Sequence, residues 1–264
     1  MSGSIGEFGN VARRAALAGG RMVATSGAHA RGRVRSKGAG DYVTEVDRSS
    51  EAAITSLLGA ETPGIPILAE EGGGTTGDRY WVVDPLDGTA NFVHGFPVVG
   101  VSVALIEDGR PVAGCVHAPF LDQTFVGARG GGAWLYEGDS GRIRLHVSRR
   151  PVERAIVGTG FPFRRKDLLP RYLRAMTAAL ERFEDLRRPG AAALDLAWVA
   201  AGVFDGFFEL GLSSWDVAAG GLLIQEAGGV VTDWSGGEGW LGGDILAGSP
   251  DVRAALLDLA DRAR

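Results

Sequence analysis

Over the first thirty positions apolar residues recur at helical spacing, with Val11, Ala15, Ala18 and Met22 on one side and arginines elsewhere. The spacing predicts a helix over residues 5–30. A second helical stretch covers residues 45–58 and is expected to stop at Gly59. The short apolar runs Ile65-Pro66-Ile67-Leu68 and Tyr80-Trp81-Val82-Val83 predict strands that deliver carboxylates at their ends. A meander follows over residues 98–106 and 111–116, joined through Asp108-Gly109, a pair that favours a tight hairpin turn. Residues 123–127 and 131–136 extend the same antiparallel sheet.

Near residue 149 the pattern changes. Strands are predicted over residues 155–158, 206–209, 230–232 and 245–247, and helices over 168–183, 191–201, 217–227 and 251–263. This predicts an α+β half over residues 1–148, with an antiparallel sheet and most candidate ligands, and an α/β half over 149–264.

Composition narrows the function classes. The 264 residues are 45% hydrophobic, enough for a full core and too many for a disordered chain. Glycine, at 42 residues, is abundant without a triplet period, so it marks turns rather than a collagen-like repeat. Lys+Arg 27 against Asp+Glu 32 gives a net charge of −5, which opposes a general nucleic-acid or anionic-membrane binder. One basic run, Arg31-Gly32-Arg33-Val34-Arg35-Ser36-Lys37, keeps a non-enzymatic alternative open: a nucleic-acid-binding regulatory protein. Cys115 is the only cysteine, so neither an intrachain disulfide nor a thiolate metal cage can form. No secretory signal and no apolar run of membrane-spanning length is evident, and a cytoplasmic location is expected.

The informative segment is Asp84-Pro85-Leu86-Asp87-Gly88-Thr89-Ala90-Asn91-Phe92, directly after the second short strand. Pro85 fixes φ and Gly88 permits a sharp turn, so Asp84 and Asp87 can face the same side. Two carboxylates about 4 Å apart repel by roughly 4 kcal/mol at an effective dielectric near 20, and a divalent cation reverses that penalty. Oxygen donors without nearby His or Cys favour Mg²⁺ or Mn²⁺ over Zn²⁺. The amides of Gly88, Thr89 and Ala90, at the mouth of a short helix, suit an anion. Glu70-Glu71 at a strand end and Asp216 in the first turn of a helix suit the same site, although singly each is better explained by a solvated pair or a helix cap, and only the combination favours a shared site. Asp-x-x-Asp, with proline at position 85, departs from the Asp-x-Asp-Gly-Thr needed by phosphatases that form a phosphoaspartyl intermediate.

In four ordered blocks the chain resembles the inositol monophosphatase family of Mg²⁺-dependent, lithium-sensitive phosphatases. These are Lys37 with Asp41-Tyr42-Val43-Thr44-Glu45-Val46-Asp47; Glu70-Glu71; Asp84 through Phe92; and Trp215-Asp216-Val217-Ala218-Ala219-Gly220 continuing to Glu226-Ala227-Gly228-Gly229. The resemblance implies a layered αβαβα sandwich of the sugar-phosphatase type and a homodimer. It implies that Glu70, Asp84, the Leu86 carbonyl and Asp87 hold one Mg²⁺ and that Asp84, Asp87 and Asp216 hold a second, with Glu70 contributing to a weaker third. Mn²⁺ is the expected substitute. Asp47 and the Thr89 hydroxyl are implied to orient and activate a metal-bound water, and the Gly88 and Thr89 amides to hold phosphate oxygens. Gly190, Ala191, Ala192 and Glu209 match the positions that contact the alcohol.

The implied reaction is hydrolysis of a small polyol phosphate, with inositol 1-phosphate as the default. Histidinol phosphate, fructose 1,6-bisphosphate and 3′-phosphoadenosine 5′-phosphate are alternatives on the same scaffold. Glu209 suits either vicinal hydroxyls or a rim ion pair. Arg164-Arg165-Lys166 suits either a second anionic group on the substrate or a solvated surface, Phe161 and Phe163 suit either core or interface, and the role of Asp195 is left open.

Overall fold

A computed structural model of the chain describes residues 5–26, 34–38, 41–138 and 141–263. The first helix, α1 (Ile5–Ser26), is followed by the hairpin β1 (Val34–Gly38) and β2 (Asp41–Thr44) and by α2 (Glu45–Glu61). Next come β3 (Ile67–Ala69), β4 (Gly73–Gly74), β5 (Arg79–Asp87) and the short helix α3 (Thr89–His94). A meander of β6 (Gly100–Glu107), β7 (Arg110–Ala118), β8 (Gln123–Ala128), β9 (Gly132–Glu137) and β10 (Arg142–Arg144) follows. The remainder is β11 (Ile156–Thr159), α4 (Leu169–Arg182), β12 (Asp185–Arg187), α5 (Ala192–Ala200), β13 (Gly206–Glu209), α6 (Ser214–Glu226), β14 (Val230–Thr232), β15 (Ile245–Gly248) and α7 (Pro250–Arg262).

Strands in the order β10-β9-β8-β7-β6-β5-β3-β4 form an eight-stranded sheet, and β12-β11-β13-β15-β14 form a five-stranded one. The first is antiparallel apart from the β3–β5 pair. In the second, β11 is parallel to both neighbours while β15 is antiparallel to both of its own. Helices α1 and α2 cover the outer face of the large sheet, α5 and α6 lie between the sheets, and α4 and α7 cover the far face of the small one. The layers therefore alternate αβαβα.

Sequence character sets which helix goes where. Residues Val217 through Ile224 of α6 are all buried, as are eight of the nine residues of α5, all but Trp198. A helix apolar all round needs cover on both sides, and the space between two sheets provides it. Helices α1, α4 and α7 each have a buried stripe and an exposed face, and they take the outer layers.

Two expectations about boundaries change. Helix α2 runs through exposed Gly59 to Glu61, since a glycine costs a helix about 1 kcal/mol and does not by itself end it. The anchor comes later, at Thr62, whose hydroxyl donates to Leu58 O (2.7 Å) and accepts from the buried Trp81 Nε1 (3.0 Å). Strand β5 does not stop at Val83 but carries on through Asp87, with a register shift described below. The last turn expected of the first helix, residues 27–30, and residues 31–33 of the basic run lie outside the described residues, as do the side chains of Lys37 and of Asp41-Tyr42-Val43-Thr44.

Candidate metal and phosphate site

Asp84 pairs with Ser102 on β6 and Asp87 pairs with Gly100, so three residue steps on β5 oppose two on β6. The extra residue reverses the alternation and brings Asp84 and Asp87 to one side. Pro85, which has no amide hydrogen, sits where the ladder is interrupted. The interruption is stitched locally: the Leu86 amide donates to Asp84 Oδ1 (3.0 Å), and the Ser50 hydroxyl of α2 donates to Pro85 O (2.7 Å).

Two helix starts complete the cluster. The Ala193 amide at the head of α5 donates to Asp87 Oδ2 (2.7 Å), and the Ser213 amide donates to Asp216 Oδ2 (2.7 Å) at the head of α6. Asp216 therefore does serve as a cap, using one oxygen. One oxygen from each of Asp84, Asp87 and Asp216 lies within 4.8 Å of the others. Glu70, just past β3, stands beside them, with Arg164 Nη1 at 4.0 Å from its Oε1.

The electrostatics are those of acids crowded out of water. Burial, then the Asp216 charge, pushes Glu70 up to about 8. Burial and Asp216 push Asp87 to about 7 against the α5 amides that hold it ionised. Asp84 is lifted well above the usual carboxylate range by burial and then by Glu70, Asp87 and Asp216, and burial raises Asp216 as well. Carboxylates so placed either keep protons or share a cation. The donors are all oxygens, the set favoured by hard divalent ions, so these residues fit Mg²⁺ or Mn²⁺.

The water-activating pair expected from the sequence is adjacent. Buried Asp47, in the first turn of α2, places Oδ1 3.1 Å from the Thr89 hydroxyl, which also lies 3.0 Å from Leu86 O. Gly88 precedes α3 with φ +85°, and a Cβ there would stand 3.0 Å from Val98 O and 3.2 Å from the Ala191 Cβ. Only glycine meets both demands. Asn91 Nδ2 donates to Val98 O (2.7 Å) and Pro189 O (2.9 Å), tying α3 to the chain that enters α5. A cleft of about 180 Å³ joins these parts and is lined by Glu70, Asp84, Leu86, Asp87, Gly88, Thr89, Gly190, Ala191, Ala192, Glu209 and Asp216, among others.

Its far side is formed by Glu209 at the end of β13, by Asp195 of α5 and by Arg188. Glu209 is half-buried, and burial together with Asp216 and Asp87 lifts it well above the carboxylate range, while Arg188 and Arg164 counter the shift. Arg188 stacks over Phe161 (5.2 Å) and Phe163 (5.4 Å). Phe161 belongs to the small-sheet core, packed edge-on against Tyr172, while Phe163 is 55% exposed. The basic trio divides: Arg164 and Arg165 line the cleft, Arg165 pairs with Asp167 (2.8 Å), and Lys166 begins a short 3₁₀ turn. Sequence reading missed Arg188 and Ser50, whose positions follow from long-range packing, and gave no individual role to Asn91 or Gly160, although both lie in segments it singled out.

A fold of this layering, with acids from a bulged strand and a helix start meeting in a cleft, has counterparts. The profile of the inositol monophosphatase family matches residues 6–262, and the chain belongs to that family. Nus factor SuhB of Pseudomonas aeruginosa is 47% identical over 233 residues, 85% of this chain and 84% of that protein. Inositol-1-monophosphatase of Mesorhizobium japonicum is 41% identical over 253 residues, 94% of each. The crystal structure of the extragenic suppressor protein suhB from Bartonella henselae superposes with a TM-score of 0.88 at 38% identity, covering 96% of this chain and 98% of that one.

Proposed function

We propose that this chain is a Mg²⁺-dependent phosphomonoesterase for a small polyol phosphate, with inositol 1-phosphate as the default substrate. The observation that carries this reading is the approach of Asp84, Asp87 and Asp216 to within 4.8 Å, with Asp47 and Thr89 hydrogen-bonded beside them. Glu70, Asp84, the Leu86 carbonyl and Asp87 would hold one ion, and Asp84, Asp87 and Asp216 the second. The chemistry such ions supply is acidification of the attacking water and neutralisation of charge on the phosphate and on the departing oxygen.

The protein's own groups do the rest. Asp47 accepts a hydrogen bond from the Thr89 hydroxyl, which leaves the Thr89 oxygen free to accept one from a water aimed at phosphorus; as the water attacks, its proton passes to the Thr89 oxygen while the Thr89 proton passes to Asp47. The Gly88 and Thr89 amides face the phosphate oxygens. Gly190, Ala191, Ala192 and Glu209 face the alcohol, and attack is direct, with no covalent enzyme adduct. The same reading carries a homodimer, lithium sensitivity and a cytoplasmic location; among the described residues no helix is long and apolar enough to cross a membrane.

Phosphate release from inositol 1-phosphate, histidinol phosphate, fructose 1,6-bisphosphate and 3′-phosphoadenosine 5′-phosphate, with and without Mg²⁺, tests the reading. Mg²⁺-dependent turnover led by the inositol ester is expected. Absence of Mg²⁺-dependent release from all four defeats it.

A second reading rests on the relative named Nus factor SuhB at 47% identity. It adds a role as a Nus factor to the hydrolase and reopens nucleic acid as a partner against the net charge. Salt-dependent RNA binding that survives Asp84→Asn would support it; no binding at low salt would remove it.

A further inference from the structure

The cleft contains one buried polar atom that the proposed reaction does not use. Asp195 lines the cleft but is only 1% exposed, and its Oδ1 has no hydrogen-bond partner among the described residues. Its place in the first turn of α5 explains why a negative charge is tolerated there. It does not explain an oxygen without a donor, since buried carboxyl oxygens are nearly always hydrogen-bonded.

The surroundings say which donor is missing. Glu209 approaches from β13 and Asp195 from α5, so two carboxyl groups from different elements stand together on the alcohol side of the cleft. Glu209 is fixed by close packing: both its oxygens lie 2.1 Å from the point a Cβ on Gly160 would occupy, so only glycine at 160 lets the carboxylate sit there. Arg188 is the cation that acts most strongly on both acids, and its guanidinium is held on the Phe161 and Phe163 rings. Acceptors thus outnumber donors on this side, and a ligand that brings hydroxyl hydrogens corrects the imbalance.

We propose that Asp195 is a specificity-determining residue that, paired with Glu209, accepts hydroxyl hydrogens from the alcohol part of the ester, so that the cleft selects polyol phosphates over phosphates of simple alcohols. The proposal rests on the phosphatase reading and deepens it by naming Asp195 as a further residue that reads the alcohol. A site whose buried acceptors are satisfied only by substrate hydroxyls rejects an analogue that lacks them, because those acceptors then stay unpaired. Neither Asp195 nor Glu209 is among the groups assigned to the metal ions or to the phosphate, so their contribution is expected in selection among alcohols.

The test compares kcat/KM for inositol 1-phosphate and for ethyl phosphate, in Mg²⁺, in the wild type, Asp195→Asn and Asp195→Ala. Either substitution is expected to lower the preference for the polyol ester at least tenfold, chiefly through KM. The isosteric Asp195→Asn carries the test if Asp195→Ala does not fold. Equal losses on both esters, or an unchanged preference, overturn the proposal and leave the phosphatase reading standing. If the wild type hydrolyses neither ester, the phosphatase reading falls, and calorimetric binding of free myo-inositol decides the proposal alone. Binding weakened at least fivefold by Asp195→Asn supports it; equal binding, or none to the wild type, overturns it.

Discussion

The Thr89 hydroxyl oxygen stands 3.1 Å from Asp47 Oδ1, linking the start of α3 to the start of α2 across 42 residues of chain. Neither residue is among the three crowded aspartates, and in the proposed reaction the pair serves the attacking water while the aspartates serve the ions. Thr89→Val keeps the shape and removes the hydroxyl; Asp47→Asn keeps the shape and removes the base. Each is expected to lower kcat by about 10²–10⁴, the range of a lost general acid–base group. Thr89→Ser retains the hydroxyl and should recover most of that loss in a phosphate-release assay.

The second prediction concerns pH. Glu70 and Asp87 have folded-state values of about 8 and about 7, above those of free carboxylates. A carboxyl raised on folding binds its proton more tightly in the native state, so its contribution to stability is full below the unfolded value and is lost as pH rises through the folded one. The metal-free protein should therefore melt at progressively lower temperature between pH 5 and 8. Added Mg²⁺ should raise the melting temperature more at pH 8 than at pH 6, and proton release should accompany binding when calorimetry is run in buffers of different ionisation enthalpy.

Removing one acid from the cluster should have opposite effects with and without metal. Asp84→Asn keeps an oxygen for the Leu86 amide and deletes one crowded charge. At alkaline pH, where the cluster is pressed to ionise, the metal-free variant should melt higher than the wild type, by about 2–4 °C for each 1 kcal/mol of relieved repulsion. Its turnover should fall by orders of magnitude, and stabilisation by Mg²⁺ should largely disappear. Thermal melts with and without the ion read both signs.

Gly160→Ala would place a methyl where the Glu209 carboxylate lies. Displacing a half-buried side chain from a packed wall costs about 1–3 kcal/mol. A raised KM for polyol esters is expected, with less effect on inorganic phosphate as an inhibitor, and steady-state kinetics with phosphate inhibition distinguishes the two.

Much of this was legible from local chemistry. The Asp108-Gly109 pair marked the β6–β7 hairpin, and the uninterrupted apolar character of residues 217–224 marked a helix that the fold buries between two sheets. The spacing of Asp84 and Asp87 was visible, but its cause was not. Glycine at 88 suggested a turn, whereas the bulge against Ser102 and Gly100 is what turns both acids to one side, and a bulge depends on the register of the partner strand. β10 and β12 were absent from the sequence reading because each has one apolar residue beside charged ones, whereas the equally short but Val-rich β14 did register. Arg188 gave no signal because its place is set by Phe161 and Phe163, some 25 residues earlier. Asp195 could be placed on a helix, but its unpaired oxygen emerges only once α5 is packed beside β13.

The central claim is that Asp84, Asp87 and Asp216 converge to share divalent cations. Crystals equilibrated with Mn²⁺ and measured at the manganese absorption edge test it most directly. The account predicts anomalous density between these three side chains, lost in Asp216→Asn. An empty cluster in crystals whose dissolved protein still releases phosphate in Mn²⁺ would contradict it.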